Sequence, residues 1–205
     1  MTAKTTRAAK TTANRTKMLD AARELFTTRG YTATTMKAIA EHAGMAVQTL
    51  YFTFATKRAI LSELLDREIA GDAEPVATLD RPWFAEAVAA EPEEQIRRQV
   101  AAAAAIFERV SPLLEVIRSA AATDPELAEL WRTNIDQRHT VQLRLADALE
   151  SKTTLRKGIS AAHAADIALA VLAPETYHLL VHERSWSAAE WQRWATDALI
   201  RQLLP

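Results

Sequence analysis

Val47, Gln48 and Thr49 are residue types that read a base pair by its edge. A glutamine amide donates and accepts at once, as an adenine edge requires, while Val47 and the Thr49 methyl suit the methyl group of thymine. Such reading needs these side chains at the start of a helix that enters the DNA major groove. Donors to phosphate must then stand at the groove edges. Thr35, Lys37, Tyr51, Thr53 and Lys57 are the donors within reach in the sequence. Thr35 opens a helix, whose free N–H groups favour an anion. Lys57 also stands at a helix start, where a cation opposes the dipole and a nearby phosphate would offset the cost. Loss of Lys57 would then weaken every DNA site and flatten the salt slope by about one unit. The rings of Phe52 and Phe54 are expected to pack the small core. The plainer alternative makes Gln48 and Thr49 ordinary exposed polar residues.

The elements that must position these groups follow from punctuation and periodicity. Residues 34–57 read as two short helices joined by a tight turn at His42-Ala43-Gly44-Met45, the arrangement that presents a recognition helix. Met18, Leu19, Ala22, Leu25 and Phe26 fall on one face of a preceding helix over 14–29, ended by Gly30. Thr34 or Thr35 caps the second helix, and Thr56 a fourth that carries Ile60, Leu61, Leu64 and Leu65 and runs to Gly71. Residues 1–13 lack apolar periodicity and are expected to form a disordered basic arm, which would track the DNA backbone or enter the minor groove. Prolines at 75, 82 and 92 mark a linker with a short helix around Trp83-Phe84. Ser111-Pro112 and Asp124-Pro125 read as helix starts with proline at the first position. A long helix runs from Pro125 to about Ser151, Pro174 kinks an all-round apolar helix over 160–182, and a last helix covers 187–204. With no defensible strand, the fold is expected to be all-α. An N-terminal three-helix helix-turn-helix domain over 14–58 would precede a larger helical ligand-binding and dimerisation domain over 59–205.

Charge divides along the same line. Residues 1–58 carry ten basic and three acidic side chains, a net +7, and the remainder nets −8. That asymmetry points to a polyanion-binding end, although a solvated basic tail would give it too. Cysteine is absent, which excludes disulfides, thiolate metal sites and a cysteine nucleophile and fits a cytoplasmic location. No apolar run is read as approaching the ~20 residues that span a bilayer, so no membrane partner is expected. The N-terminus lacks a secretory h-region, though its Arg/Thr-rich start can mimic a transit peptide. A Gly-rich phosphate loop, a G-x-S-x-G elbow and a carboxylate pair of defined setting are all missing, so neither catalysis nor a cofactor is expected. His178 and His182 are spaced i, i+4, as metal ligands can be, but without an H-E-x-x-H pattern or a fixed third ligand no metal site is expected. The rivals are a metal or ligand sensor or enzyme using the C-terminal part, and a helical module whose basic end binds an acidic protein.

Residues 21–61, above all Gly44 to Lys57 (GMAVQTLYFTFATK), resemble the DNA-binding domain of TetR-family transcriptional regulators. The resemblance implies a homodimer with two DNA-binding heads, an interface from the last two helices and a small-molecule pocket in each C-terminal domain. It also implies a repressor that an inducer releases from a palindromic operator. By the same resemblance Thr35, Tyr51 and Lys57 match phosphate-contacting positions, and Val47, Gln48 and Thr49 match the recognition helix. Ala46 departs from the family, which commonly has a Ser or Thr cap there. In the C-terminal part Phe107, Trp131, Ile135 and Tyr177 are candidate effector-binding residues, each equally readable as core. Arg118 and His139 could orient a polar ligand. Ile167, Val171, Trp191, Trp194 and Ala198 are candidates for the dimer interface, the alternative being completion of a monomer core.

Overall fold

The computed structural model describes residues 2–71 and 76–205, with side chains from Ala9 onward. The linker reading at residues 72–75 and the arm's side chains Lys4 and Arg7 lie outside the described residues. All described elements are helical. The chain divides into two compact units, residues 1–67 with 112–130, and 68–111 with 131–205.

The first unit holds α1 (Thr2–Ala33), α2 (Met36–His42), α3 (Val47–Phe54) and α4 (Lys57–Ala70) to Arg67, with the end of α6 (Pro92–Ala121) and the start of α7 (Pro125–Glu150). Met18, Leu19, Ala22, Leu25 and Phe26 are buried as their spacing requires. They meet Ile39 and Ala40 of α2, Leu50 and Phe54 of α3, and the Ile60/Leu61/Leu64/Leu65 stripe of α4, all nearly inaccessible. The fourth helix is therefore part of this unit, and the expected boundary at residue 58 shifts. Its apolar stripe leaves water there, as an amphipathic helix requires. Arg15 forks onto Glu63, and Arg67 donates to Asp20 at 2.9 Å, tying α1 to α4.

α1 begins at Thr2, where the sequence suggests a disordered arm. Extending an established helix costs no nucleation, and the arm's Ala, Lys and Arg are good helix formers. α1 breaks at Gly30, with φ 78° and ψ 168°, and the Thr34 hydroxyl donates back to the Gly30 carbonyl at 2.8 Å. Asp124 caps α7, its carboxylate accepting from Glu126 and Leu127 N–H at 3.0 and 3.2 Å, with Pro125 first in the helix. Pro112, by contrast, starts no helix; it lies inside α6. The missing N–H costs one helical bond, and burial of Val110, Leu113, Leu114 and Ile117 carries the helix past it.

The second unit contains a 3₁₀ turn (Thr78–Asp80), α5 (Pro82–Ala89), α6 to Ser111, α7 from Trp131, α8 (Ala161–Val171), α9 (Pro174–Tyr177), a π-helical turn (His178–Glu183) and α10 (Ala188–Leu203). Ser160 caps α8, and Ser187 with Glu190 forms a reciprocal capping box on α10. Residues 161–183 are long and apolar enough to cross a membrane by length and composition, contrary to the sequence reading. The stretch is broken before Pro174, and α8 buries Ala164, Ala165 and Ala168 and packs on α10. Small side chains let the two helices approach closely.

Candidate nucleic-acid interface

The interface is built from the α2–turn–α3 segment. Thr35 caps α2, its Oγ1 accepting from Ala38 N–H at 3.1 Å. At the other end Met45 N–H reaches the Ala40 carbonyl at 2.9 Å and Gly44 N–H the Glu41 carbonyl at 3.1 Å. Gly44 sits at φ 66°, a left-handed conformation that a side chain disfavours, so a glycine ends α2 and redirects the chain. His42 pairs with Glu24 at 2.9 Å and holds α2 on α1.

α3 buries Leu50 and Phe54 and turns Gln48 and Thr49 outward. Val47 is half-buried. Phe52 overturns the sequence expectation. Its ring is 93 % exposed while Phe54 is 5 % exposed. The reason is rotation: residues four apart share a helix face, so Phe52 follows Gln48 on the outer side, and Leu50 and Phe54 fill the inner one. Tyr51, 52 % exposed, flanks it. The outer surface of α3 thus presents an amide, a hydroxyl and two aromatic rings. Arg15 lies over the buried Phe54 ring, its guanidinium carbon 4.6 Å from the centroid.

Ala46 is extended at φ −67° and ψ 139° and offers α3 no side-chain acceptor. A serine hydroxyl at that backbone geometry would accept from the Gln48 or Thr49 amide. Ala46→Ser is therefore expected to stabilise the protein by ~1 kcal/mol; an unchanged or lowered midpoint in thermal melts would refute the capping argument. α3 ends at Ala55, which has φ 58° and ψ −50°. The Thr56 N–H bonds the Phe54 carbonyl across it at 2.6 Å, a γ-turn of the strained hand. That turn delivers Thr56, whose Oγ1 caps α4 through Ala59 N–H at 3.1 Å.

The phosphate donors do not form one set. Thr35, Lys37 and Tyr51 are exposed, Lys37 lying 3.7 Å from Glu41. Thr53 donates its hydroxyl proton to the Thr49 carbonyl at 2.7 Å and has none left for a phosphate in this rotamer. Lys57 is turned inward. Its ammonium donates to the Tyr31 and Thr34 carbonyls at 2.7 and 2.8 Å and lies 4.0 Å from the Tyr31 ring centroid. Burial lowers its pKa, with Asp124 opposing. The sequence places Lys57 at the helix start but cannot show that its long stem folds back over the α1–α2 connection.

In the second unit the effector candidates separate into two pairs. Phe107 and Tyr177 are buried with their rings 5.7 Å apart, and both pack on Trp191, at 5.9 and 5.1 Å. Trp131 and Ile135 are half-buried on α7. A cleft of about 380 Å³ lies elsewhere, between Ile69, Trp83, Ala102, Ala105, Ile106 and Arg109, and none of the four lines it. Trp191 is wholly enclosed by its own chain, so it is core and offers no surface to a second copy. Ile167, Val171, Trp194 and Ala198 remain half-buried. Of the polar candidates, Arg118 forks onto Glu115, and His139 sits 3.2 Å from Asp166. The His178 and His182 rings lie 5.2 Å apart, and His182 meets Ser111 Oγ at 3.0 Å. Burial, then the neighbouring His178, lowers the His182 pKa. Among the described residues no cluster of three or more His, Cys, Asp or Glu could hold a metal.

A capped helix, a glycine turn and a short helix with outward polar residues define a helix-turn-helix DNA-binding protein. Residues 18–64 match the family of bacterial regulatory proteins, tetR family. No curated protein matches the chain. Its fold is shared by several solved structures. A putative transcriptional regulator from Saccharomonospora viridis in complex with choline has TM-score 0.70 and 18 % identity, over 95 % of this chain and 99 % of that one. The SmeT–triclosan complex gives 0.74 and 19 %, over 94 % and 92 %. The MbdR regulator from Azoarcus sp. CIB gives 0.70 and 17 %, over 94 % and 100 %.

Proposed function

We propose that this regulator is a cytoplasmic homodimeric repressor that binds a palindromic operator and leaves it when a small molecule binds the second unit. The observation that carries the DNA-reading part is the outward face of α3, where Gln48, Thr49 and Phe52 stand free on a helix anchored by Leu50 and Phe54. Val47, Gln48 and Thr49 read bases; Thr35, Lys37 and Tyr51 hold phosphates. A two-fold dimer would set two such helices on successive major grooves. The partly exposed Ile167, Val171, Trp194 and Ala198 on α8 and α10 are the surface for it. The choline and triclosan complexes of like-folded proteins support a small-molecule ligand; in the second unit Phe107, Trp131, Ile135 and Tyr177 are the aromatic and aliphatic candidates for holding it.

In vitro selection of random duplex DNA on the purified protein is expected to enrich an inverted repeat. Failure to enrich any sequence at low salt would remove the DNA-reading proposal. On the selected operator, Gln48→Ala is expected to relax specificity at one base position per half-site, at ~1–3 kcal/mol. An equal loss on every sequence, measured by competition binding, would instead make Gln48 a backbone contact.

A further inference from the structure

We propose that the effector is an anion, and that its carboxylate docks on the Arg138 guanidinium beside Trp131 and Asn134. The inference rests on the reading of the second unit as ligand-binding and assigns the chemical class of that ligand.

The inner face of α7 is polar where a helical core is ordinarily apolar. Asn134 and Gln142 are 3 % and 9 % exposed, and Arg138 lies between them, one turn from each. Residues four apart share a face, so Arg138 leaves α7 on the side of Asn134 and Gln142, where it is half-buried. Opposite, Gln95 of α6 donates to the Leu145 carbonyl at 2.7 Å and Gln99 donates to Gln142. These two bonds fix α6 and α7 as antiparallel. Carrying that register one turn further sets the alanine run 101–105 level with Arg138. Of these, Ala104 is buried, and Ala102 and Ala103 are half-buried.

Arg138 is the unbalanced charge in this row. Its Nε donates to Asn134 Oδ1 at 3.0 Å, and its guanidinium carbon lies 5.6 Å from the Trp131 ring centroid. An arginine has five N–H donors; the four others have no partner among the described residues. Arg97, Arg98, Arg118 and Arg201 all pair with carboxylates. Glu175 acts on Arg138 only through space, and burial lowers the arginine's pKa. An arginine does not neutralise at physiological pH, and removing a cation from water without a partner is costly. A carboxylate accepts two parallel N–H bonds from the guanidinium plane, and the Trp131 face offers an apolar wall beside it. Rule-breaking of this kind, a retained polar group that weakens the core, is expected where a protein binds something. The side chain's place between the buried Asn134 and Gln142 favours a small molecule over an acidic side chain of a second copy.

The test uses the purified full-length protein without DNA, so a failed operator selection leaves its outcome intact. Thermal melts are run with C2–C12 aliphatic and aromatic monocarboxylates, each against its amide. At least one carboxylate is expected to raise the midpoint by about 5 °C or more at a hundredfold excess over its Kd, while its amide does not. R138Q is expected to bind that carboxylate at least tenfold more weakly by calorimetry and to melt no lower than the unliganded parent. R138K keeps the charge and is expected to retain the preference at reduced affinity, which covers the case in which R138Q misfolds. A panel in which no carboxylate outperforms its amide would overturn the proposal, as would binding unaffected in R138Q and R138K. It would also fall if R138Q altered only the dimer's dissociation in sedimentation, since Arg138 would then pair with the second copy.

Discussion

Replacing Lys57 with methionine is expected to lower the melting midpoint by about 10 °C and leave the salt slope of DNA binding unchanged. Methionine keeps most of the stem's bulk and removes the ammonium, so the change deletes the two bonds to the Tyr31 and Thr34 carbonyls together with its contact on the Tyr31 ring. Bonds from a charged donor are worth ~1.5–3 kcal/mol each. A combined loss of ~3 kcal/mol corresponds to roughly 6–12 °C for a chain of this size. Those carbonyls belong to the connection that sets α2 against α1, beside the buried Thr34, so the loss would also loosen the frame that aims α3. Circular dichroism melts and operator titrations from 50 to 300 mM salt read the two effects separately. An unchanged midpoint with a slope reduced by about one unit would return Lys57 to the phosphate role its sequence position suggests.

Phe52→Ala should do the opposite, sparing the fold and damaging operator binding. The ring is 93 % exposed in the free protein, so removing it opens no cavity, and alanine is the better helix former by roughly half a kcal/mol. Covering a phenylalanine against a thymine methyl or a deoxyribose is worth ~1.5–3 kcal/mol. A two-fold operator uses the ring twice, giving an expected loss of roughly 10²- to 10⁴-fold in affinity. A melting midpoint equal to or above that of the parent would accompany it. Operator affinity within twofold of the parent would show that the ring stays in solvent and that Gln48 and Thr49 read without it.

Local chemistry made the DNA-binding end of this chain legible. A threonine before each of α2 and α4 and a glycine after α2 are one-residue signals, because caps and left-handed turns are satisfied by the residue itself and its near neighbours. The apolar stripes of α1 and α4 were readable for the same reason, since helix periodicity needs no partner to be defined. Ala46 without a capping side chain was likewise visible as a departure.

The sequence by itself determined the all-helical fold, the turn that presents α3, and the residue types at its exposed start. Tertiary structure decided the rest, and the reason is common to each case. The side of a helix that meets the core depends on what packs there, so Phe52 went to solvent and Phe54 inward. Where a long flexible stem ends depends on acceptors distant in sequence, so Lys57 turned to Tyr31 and Thr34 over the α1–α2 connection. Proline stops a helix only if nothing compensates for its missing bond, and buried leucines carried α6 through Pro112. Charge balance is settled in space as well: Arg118 and His139 found carboxylates, while Arg138, unremarkable in the sequence, is half-buried with one side-chain hydrogen bond, to Asn134, among the described residues.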